Sequence, residues 1–187
     1  MSRLTKRAIT EAFVVLLGER PLDKIAVKDI VDRCEINRNT FYYYYQDIYA
    51  LLEELIRDEV RKIVESTPSI DSWQDGFIEG IQFALSNRRA VYHVYNSTHR
   101  ELLEQYIFKV ADRILEEFIR AKAQGVDASE EDIRIIRSFY KYALSGIVFE
   151  WIQDGMKDEL VTVIQRIGVL FEGNIRTALV NGVRSPR

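Results

Sequence analysis

The chain has 187 residues, of which 47% are hydrophobic and 29% are charged, and this balance excludes a wholly disordered protein. A single cysteine, Cys34, excludes internal disulfides and cysteine-based zinc sites and fits a reducing cytoplasm. The net charge is −3, but residues 1–48 hold eight Lys or Arg against seven Asp or Glu, while the remainder holds 18 against 22. This mild asymmetry permits nucleic-acid binding by the first segment and does not require it.

No segment of the sequence is suited to a membrane. The basic N-terminus is not followed by an unbroken apolar run, so we expect no signal peptide. The most apolar stretch, residues 139–152, contains Lys141 and Glu150 and is shorter than the roughly 20 residues that a bilayer requires. It has too little polar surface for a one-sided helix, and we expect it in the core and at a dimer interface.

Two short helices are predicted at the N-terminus. Apolar residues recur at helical spacing over residues 4–18, where Gly18 suits the end of the helix. They recur again over residues 27–34 after the break at Pro21. Cys34 lies on the apolar face of this second segment, and we expect it to be buried as a small hydrophobic residue.

A third helix is predicted over residues 38–45, although this segment contains five consecutive aromatic residues. Intrinsic propensity alone favours a strand for such a run. We predict a helix because Asn37 is a favourable N-cap and because a helical pattern resumes soon after the run. Four consecutive helical residues cover about 300° of arc, so Tyr42–Tyr45 cannot all face one core.

The rest of the sequence predicts a larger helical body. A long helix begins after Asp47, its N-cap, and ends at residues 67–69. Ser129 and Asp132 form a variant of the capping box, and the tail from Asn181 is expected to fray. Further helices are predicted over residues 71–86, 88–95, 99–123, from Ser129 to about residue 154, and 158–180. The fold is therefore predicted to be all-α.

The three N-terminal helices match a helix-turn-helix, in which the third helix enters the major groove and the second lies across the backbone. We therefore expect a helix-turn-helix DNA-binding domain in residues 1–47 and a larger helical body in residues 48–187. Arg38 can read guanine with two hydrogen bonds, and Asn39 can read adenine. Lys28 and the tyrosine hydroxyls are expected to hold phosphates, which fix the register without reading sequence.

The motif "VKDIVDRCEINRNTFYYYYQD" is the most specific part of a longer resemblance. Residues 6–55 resemble the N-terminal DNA-binding domain of the TetR/AcrR family of transcriptional regulators. The resemblance implies that Phe41 and Tyr45 face the core, and that Thr40, Tyr42 and Tyr43 occupy positions that usually meet DNA. The complete predicted DNA-binding set is Lys28, Asn37, Arg38, Asn39, Thr40, Tyr42, Tyr43, Tyr44 and Gln46.

The sequence departs from the family pattern at several positions. Ala26 stands where Thr or Ser commonly caps the second helix. Glu35 stands where Gly usually makes the turn, and a left-handed backbone there would cost about 1 kcal/mol for a non-glycine residue. Tyr44 replaces the usual His. Gln46 and Ile48 stand where Lys is common, so we expect fewer charged contacts and a shallower salt dependence of DNA binding.

The resemblance also implies an assembly and its control. Members of the family are homodimers whose last two helices pair across a two-fold axis, and such a dimer suits a palindromic operator in double-stranded DNA. The resemblance therefore implies that residues 48–187 form a helical ligand-binding and dimerisation domain. In the family this body often holds a small-molecule pocket, and ligand binding shifts the separation of the DNA-reading heads. The segments "VYHVYNSTHRELLEQYI" and "GIVFEWIQDGM" resemble a subgroup that includes regulators near dihydroxyacetone kinase genes. In that subgroup a protein coactivator can replace a diffusible ligand.

Aromatic residues beyond the first domain are candidates for an effector pocket, although aromatics at helical spacing more often serve packing. His93 and His99 are six residues apart, the wrong spacing for two ligands on one helical face, and we expect no metal or cofactor. The sequence shows no catalytic constellation, so we do not expect an enzyme. The candidates for the pocket are Trp73, Phe77, Tyr92, Tyr95, Tyr106, Phe139 and Tyr142.

The leading hypothesis is a dimeric, sequence-specific DNA-binding transcriptional regulator. We expect a cytoplasmic repressor that a small-molecule effector or a protein partner controls. The alternative is a helical protein-interaction module that has lost DNA binding, which the absent lysines at 46 and 48 and the Glu35 turn motivate. A third hypothesis is a small-molecule-binding protein with vestigial DNA-binding heads.

Overall fold

A computed structural model of the protein describes residues 3–66, 72–157, 159–171 and 173–184. Within these ranges the chain forms ten α-helices and a 3-10 turn at Leu22–Lys24, without a β-strand, and the all-α prediction is confirmed. None of the described helices is long and apolar enough to cross a membrane. The helices are α1 (Arg3–Glu19), α2 (Val27–Arg33), α3 (Arg38–Tyr44), α4 (Ile48–Ser66), α5 (Trp73–Ser86), α6 (Arg88–Tyr95), α7 (Arg100–Ala123), α8 (Glu130–Gln153), α9 (Leu160–Leu170) and α10 (Asn174–Arg184).

Side-chain caps confirm three of the predicted helix starts. Asn37 Oδ1 accepts a hydrogen bond from the amide of Thr40 at 2.8 Å, and Asp47 Oδ1 accepts one from the amide of Ala50 at 2.8 Å. Ser129 caps α8 in the same way at 3.1 Å. Each bond satisfies an amide of the first turn that has no partner within its own helix.

The C-terminal region differs from the prediction. A single helix over residues 158–180 is wrong, because the chain forms α9 and α10 with a break between them. Gly173 has a φ of 74°, a left-handed conformation that interrupts a helix and that glycine adopts without strain. The expected fraying from Asn181 is also wrong, because α10 continues to Arg184. The predicted end of α4 at residues 67–69 lies outside the described residues.

Two expectations near α1 and α2 also need correction. α1 continues through Gly18 and ends at Glu19, because Gly18 keeps the helical conformation. Cys34 is half-buried rather than buried, although it packs against the core. Its thiol donates a hydrogen bond to the carbonyl of Ile30 at 3.0 Å, and burial raises the pKa of this thiol.

The chain divides into two compact units. The first, which we call the head unit, comprises Met1–Arg61 and Ser86–Tyr106. The second, the body unit, comprises Lys62–Leu85 and Ile107–Arg187. The head unit therefore contains α6 and the start of α7 as well as the first three helices. The functional division after residue 47 stays a prediction.

Residues of α6 complete the core of the head unit. Val94 is buried in the same cluster as Phe13 of α1 and Leu52 of α4. His93 Nδ1 lies 2.6 Å from the carbonyl oxygen of Leu17. Because a carbonyl only accepts, the imidazole donates its N–H to the last turn of α1. The fold of the first three helices thus depends on α6, which comes more than 40 residues after α3 in the chain.

The corner between α6 and α7 is attached to the same unit by polar and aromatic contacts. The amide and the hydroxyl of Thr98 donate to the carboxylate of Asp23 at 3.2 and 3.0 Å. The ring of His99 stacks on Tyr49 with the ring centroids 3.6 Å apart. These contacts hold the corner against the 3-10 turn and the first turn of α4.

The body unit combines apolar layers with ion pairs between α7 and α8. Gly168 of α9 approaches α5 so closely that a Cβ atom would overlap the side chain of Gln74. Lys141 of α8 pairs with Asp112 of α7 at 3.1 Å. Within residues 139–152, Leu144, Ser145, Trp151 and Ile152 are buried, whereas Phe139 and Tyr142 are exposed in the single chain.

The turn between α2 and α3 contains the strained residue that the resemblance implied. Glu35 has a φ of 53°. The amide of Ile36 donates to the carbonyl of Val31 at 3.1 Å, which is the bond that closes a Schellman turn. Left-handed backbone brings the Cβ of a non-glycine residue close to the following carbonyl oxygen.

We predict that Glu35→Gly raises the free energy of unfolding by up to about 1 kcal/mol, because glycine adopts this φ without the steric penalty. Urea denaturation followed by circular dichroism measures the change. Glu35→Ala is the matched control, since it removes the carboxylate but keeps the Cβ. Equal stabilisation by both variants would contradict the conformational explanation.

Candidate nucleic-acid interface

The aromatic run of α3 is helical and is divided between the core and the solvent. Phe41 and Tyr45 are 0% and 4% exposed, so they anchor the helix in the head unit. Tyr42 and Tyr43 are 53% and 81% exposed. This division confirms that the run cannot face one core, and it confirms the core positions that the resemblance implied. The anchored face therefore determines which side chains α3 presents outward.

Polar residues of α3 and its flanking turns lie on this outward side or beside it. Arg38 and Asn39 are exposed in the first turn, and Gln46 is exposed in the turn before α4. Tyr44 is half-buried, and its ring packs edge to face on Tyr43 with the centroids 5.0 Å apart. α3 and its turns thus hold the predicted DNA-binding set except Lys28, which lies in the first turn of α2. Their contact with DNA stays a prediction.

The cap of α3 constrains the hydroxyl of Thr40. Asn37 Oδ1 accepts from the Thr40 amide at 2.8 Å and also lies 3.0 Å from Thr40 Oγ. Because the amide oxygen of Asn37 only accepts, the hydroxyl of Thr40 donates its one proton to it. Thr40 Oγ is then left as an acceptor, and Asn37 keeps its NH₂ group as a donor.

The start of α2 also departs from the family pattern without losing its cap bond. Ala26 has no polar side chain, yet its amide donates to Asp29 Oδ2 at 2.8 Å. Arg20 pairs with the other oxygen of Asp29 at 3.7 Å. The carboxylate of Asp29, the third residue of α2, therefore makes one of the two hydrogen bonds of a capping box.

Basic residues of the head unit fall into two groups. Lys6, Arg20 and Arg33 each pair with a carboxylate at distances between 2.8 and 3.7 Å. In the part of the chain that the structure describes, the exposed side chains of Lys28 and Arg38 have no such partner. Lys24 of the 3-10 turn, Arg3 of α1 and Arg89 of α6 are further exposed cations of this kind among the described residues, and Lys24 was not identified from the sequence as a binding residue. A basic residue just before α2 is the signal that points to it.

The aromatic pocket candidates are divided between the two units. Tyr92, Tyr95 and Tyr106 belong to the head unit, while Trp73, Phe77, Phe139 and Tyr142 belong to the body unit. Tyr106 is buried in the head unit, where its hydroxyl donates to the carbonyl of Glu53 at 3.2 Å. Trp73 and Phe77 are buried and pack edge to face, with centroids 5.7 Å apart.

A groove in the body unit is polar instead of aromatic. Its volume is about 570 Å³, within the range of small-molecule sites. Arg137 and Lys141 line it from α8 and form ion pairs with acidic residues of α7, Arg137 with Glu116 and Lys141 with Asp112. Arg137 and Lys141 are four residues apart on α8, and Asp112 and Glu116 are four residues apart on α7. This i, i+4 spacing of two cations and of two acids is the sequence signal for the groove. The lining residues are Phe108, Lys109, Asp112, Arg113, Glu116, Arg137 and Lys141.

Two family models match the sequence. Residues 9–55 match the model described as "Bacterial regulatory proteins, tetR family", and residues 71–173 match one described as "Transcriptional regulator C-terminal region". Together with the anchored α3, these matches define a transcriptional regulator of the helix-turn-helix class. The chain belongs to the TetR family, whose members are DNA-binding regulators.

Curated relatives share parts of this sequence. The HTH-type transcriptional regulator YxbF of Bacillus subtilis (strain 168) is 29% identical over 58 residues, 31% of this chain and 15% of YxbF. The HTH-type dhaKLM operon transcriptional activator DhaS of Lactococcus lactis subsp. lactis (strain IL1403) is 25% identical over 87 residues. That match covers 46% of each chain. The alignments thus span less than half the length of either relative.

A solved structure shares the fold over most of the chain. The dihydroxyacetone kinase operon activator DhaS superposes with a TM-score of 0.75 at 20% identity, covering 92% of this chain and 97% of that one. A TetR transcriptional regulator from Streptococcus agalactiae 2603V gives a TM-score of 0.55 at 17% identity, with 86% and 93% coverage. These likenesses confirm the fold.

We predict that Thr40→Val removes a preference for an amino-bearing base, adenine or cytosine, at one position of a bound site. The effect is about 1–3 kcal/mol of discrimination, because Thr40 Oγ is left as an acceptor for an exocyclic amine. Thr40→Ser keeps both the cap and the acceptor and should keep the preference. Binding-site selection from a random duplex pool compares the three proteins. A uniform loss of affinity in Thr40→Val, with unchanged base preferences, would instead indicate a phosphate contact.

Proposed function

We propose that the protein is a dimeric, sequence-specific regulator that binds a palindromic operator through the outward side of α3. The observation that carries this proposal is the burial of Phe41 and Tyr45 beneath an exposed polar and aromatic surface. Arg38 would read guanine and Asn39 adenine from the first turn of α3. Both family models describe regulators, so we propose that the protein acts without catalysis, in the cytoplasm where its DNA target lies.

Phosphate contacts in this proposal come from few charges. Lys24, Lys28, Gln46 and the tyrosine hydroxyls would hold the backbone. Several other cations of the head unit are paired with acids, among them Lys6, Arg20 and Arg33. The head unit contains 13 Lys or Arg and 13 Asp or Glu, so its net charge is zero. Because the salt dependence of affinity scales with the number of phosphates neutralised, we expect a shallow dependence.

We predict that Arg38→Ala weakens binding to the selected operator by about 1–3 kcal/mol and relaxes the sequence preference at one position. Fluorescence anisotropy at several salt concentrations measures both effects. Arg61→Ala is the matched control, because Arg61 is an exposed arginine of α4 that pairs with Asp58 at 2.9 Å. Full affinity in Arg38→Ala would exclude a base contact by this residue.

The alternative, an interaction module without DNA binding, is favoured by the zero net charge of the head unit. The selection experiment separates the two. Enrichment of a palindrome by the wild-type protein supports the regulator and the dimer together. No binding to any duplex at low salt would favour the interaction module.

We propose that a second copy of the chain covers the apolar face of α8. Ile135, Phe139 and Tyr142 follow one another at i, i+4 and i+7 and are 53%, 66% and 60% exposed. Such a row on one helical face is unusual for a monomer in water. TetR regulators act as dimers, which supports a second copy as the occupant.

We predict that Phe139→Asp converts the protein to a monomer of 21.9 kDa and lowers operator affinity at least about tenfold. A charge at a buried apolar contact is strongly unfavourable, and a monomer can engage one half-site only. Analytical ultracentrifugation gives the mass. Val15→Asp, which alters an exposed apolar residue of α1, should remain dimeric. A dimeric Phe139→Asp protein would rule out this face as the interface.

Control by an effector or by a partner protein completes the proposal. The charges of the body-unit groove suit a small polar ligand that carries ionised groups, and they do not suit an apolar one. We propose repression as the default outcome, because an occupied operator obstructs transcription. DhaS is described as an activator, which shows that activation is compatible with this fold.

A further inference from the structure

The carboxylate of Glu54 joins three helices of the head unit. Glu54 lies on α4, and its Oε2 pairs with Lys6 Nζ of α1 at 2.8 Å. Its Oε1 accepts a hydrogen bond from the hydroxyl of Tyr45 at 3.0 Å. Tyr45 is the C-cap of α3, and its amide donates to the carbonyl of Phe41 at 3.0 Å. We call Lys6, Tyr45 and Glu54 the Glu54 cluster.

The surroundings distinguish this cluster from an ordinary surface ion pair. The Tyr45 side chain is 4% exposed, and Lys6 Nζ also lies 5.7 Å from the centroid of its ring. The Glu54 side chain is 30% exposed, so its carboxylate is partly shielded from water. Both carboxylate oxygens have a partner on a different helix, and bonds to a charged acceptor are stronger than neutral ones. Burial raises the pKa of Tyr45, so its hydroxyl keeps the proton that it donates.

The cluster lies at the end of the recognition helix that is opposite to Arg38. α3 has only seven residues, and a helix this short is not stable in isolation. Its orientation therefore depends on tertiary contacts at both ends. Asn37 caps the start, and Tyr45 holds the end through its ring and its hydroxyl.

We propose that Glu54 is a positioning residue for DNA recognition, which fixes the C-terminal end of α3 against α1 and α4 without contacting DNA itself. The proposal rests on the proposed function. α4 spans Ile48–Ser66, and its residues beyond Arg61 belong to the body unit. The head-unit part of α4 therefore carries the carboxylate that holds the end of α3.

The test compares four variants of the full-length protein with the wild type. Glu54→Ala removes both bonds, and Tyr45→Phe removes only the hydroxyl. The double variant Lys6→Glu with Glu54→Lys reverses the ion pair, and the new ammonium can donate to the Tyr45 hydroxyl. Glu53→Ala is the matched control, because Glu53 neighbours Glu54 on α4 but pairs only locally, with Arg57 at 2.8 Å. It changes the net charge by the same amount as Glu54→Ala.

Two readouts are needed. The first is hydrogen exchange of the α3 amides in the DNA-free protein. The second is the ratio of affinities for the selected operator and for a scrambled duplex of the same length. Non-specific affinity depends on charge alone, so Glu54→Ala and Glu53→Ala should change it equally. The ratio of operator affinity to non-specific affinity therefore reports whether the side chains of α3 that contact bases are correctly oriented.

We expect Glu54→Ala to accelerate exchange in α3 and to lower the affinity ratio, each by about tenfold, the change that a loss of about 1.4 kcal/mol produces. Tyr45→Phe should have a smaller effect in the same direction. Glu53→Ala should leave both readouts within about twofold, and the reversed pair should recover both to within about threefold of the wild type.

Several results would overturn the proposal. If Glu54→Ala exchanges like Glu53→Ala, the carboxylate does not hold α3. If exchange accelerates but the affinity ratio is unchanged, the cluster serves stability alone. If the reversed pair resembles Glu54→Ala, the ion pair is not the cause. A wild-type protein that selects no operator overturns the proposed function itself, whereas the preceding results arise with a wild type that selects one.

Discussion

The burial of Phe41 and Tyr45 is the constraint on which the proposed DNA-binding surface of α3 depends. Full burial of a side chain of this size contributes about 1.5–3 kcal/mol. α3 has seven residues and forms few bonds within itself, so these two side chains supply much of what holds it in place. Since they occupy one side of the helix, geometry alone directs Tyr42 and Tyr43 outward. The exposure of Tyr42 and Tyr43 thus follows from the burial of Phe41 and Tyr45.

Charge in the head unit is distributed in keeping with this arrangement. Lys6 and Arg7 on α1 and Arg33 at the end of α2 are paired with acids, while Lys24, Lys28 and Arg38 have no such partner among the described residues. Paired cations contribute little to the attraction of a polyanion because their fields are cancelled locally. Any electrostatic attraction of DNA therefore comes from the unpaired cations and not from the net charge of the unit, which is zero. What matters is that three of the unpaired cations, Lys24, Lys28 and Arg38, lie on α2, α3 and the turn before α2.

Local signals in the sequence were sufficient for most helix boundaries. Asn37, Asp47 and Ser129 are residues whose side chains cap helices, and periodicity identified the segments that follow them. The break at Gly173 was not predicted, because apolar residues continue on both sides at helical spacing and a single glycine is tolerated in many helices. The left-handed backbone of Gly173 lies in the break between α9 and α10.

The candidate DNA-binding site and the contacts around it could be predicted only in part, because the sequence pattern permits several of these contacts without requiring them. The outward residues of α3 follow from helical geometry once Phe41 is assigned to the core. The acceptor-only state of Thr40 depends on a bond to Asn37 that spacing permits but does not require. The Glu54 cluster joins residues 48 and nine positions apart, and no periodicity indicates such a contact. The polar groove likewise depends on the pairing of α7 with α8.

The inclusion of α6 in the head unit bears on how this protein could be controlled. Moving α6 away from α1 would expose Val94 and break the bond from His93 to Leu17. It would also strain the attachment of Thr98 to Asp23. Each hydrogen bond contributes about 0.5–1.5 kcal/mol, so the sum is a few kcal/mol, the size of a typical allosteric coupling free energy of about 1–3 kcal/mol. A ligand or partner that favours one position of α6 therefore needs only an ordinary difference in affinity to alter the core that supports α3.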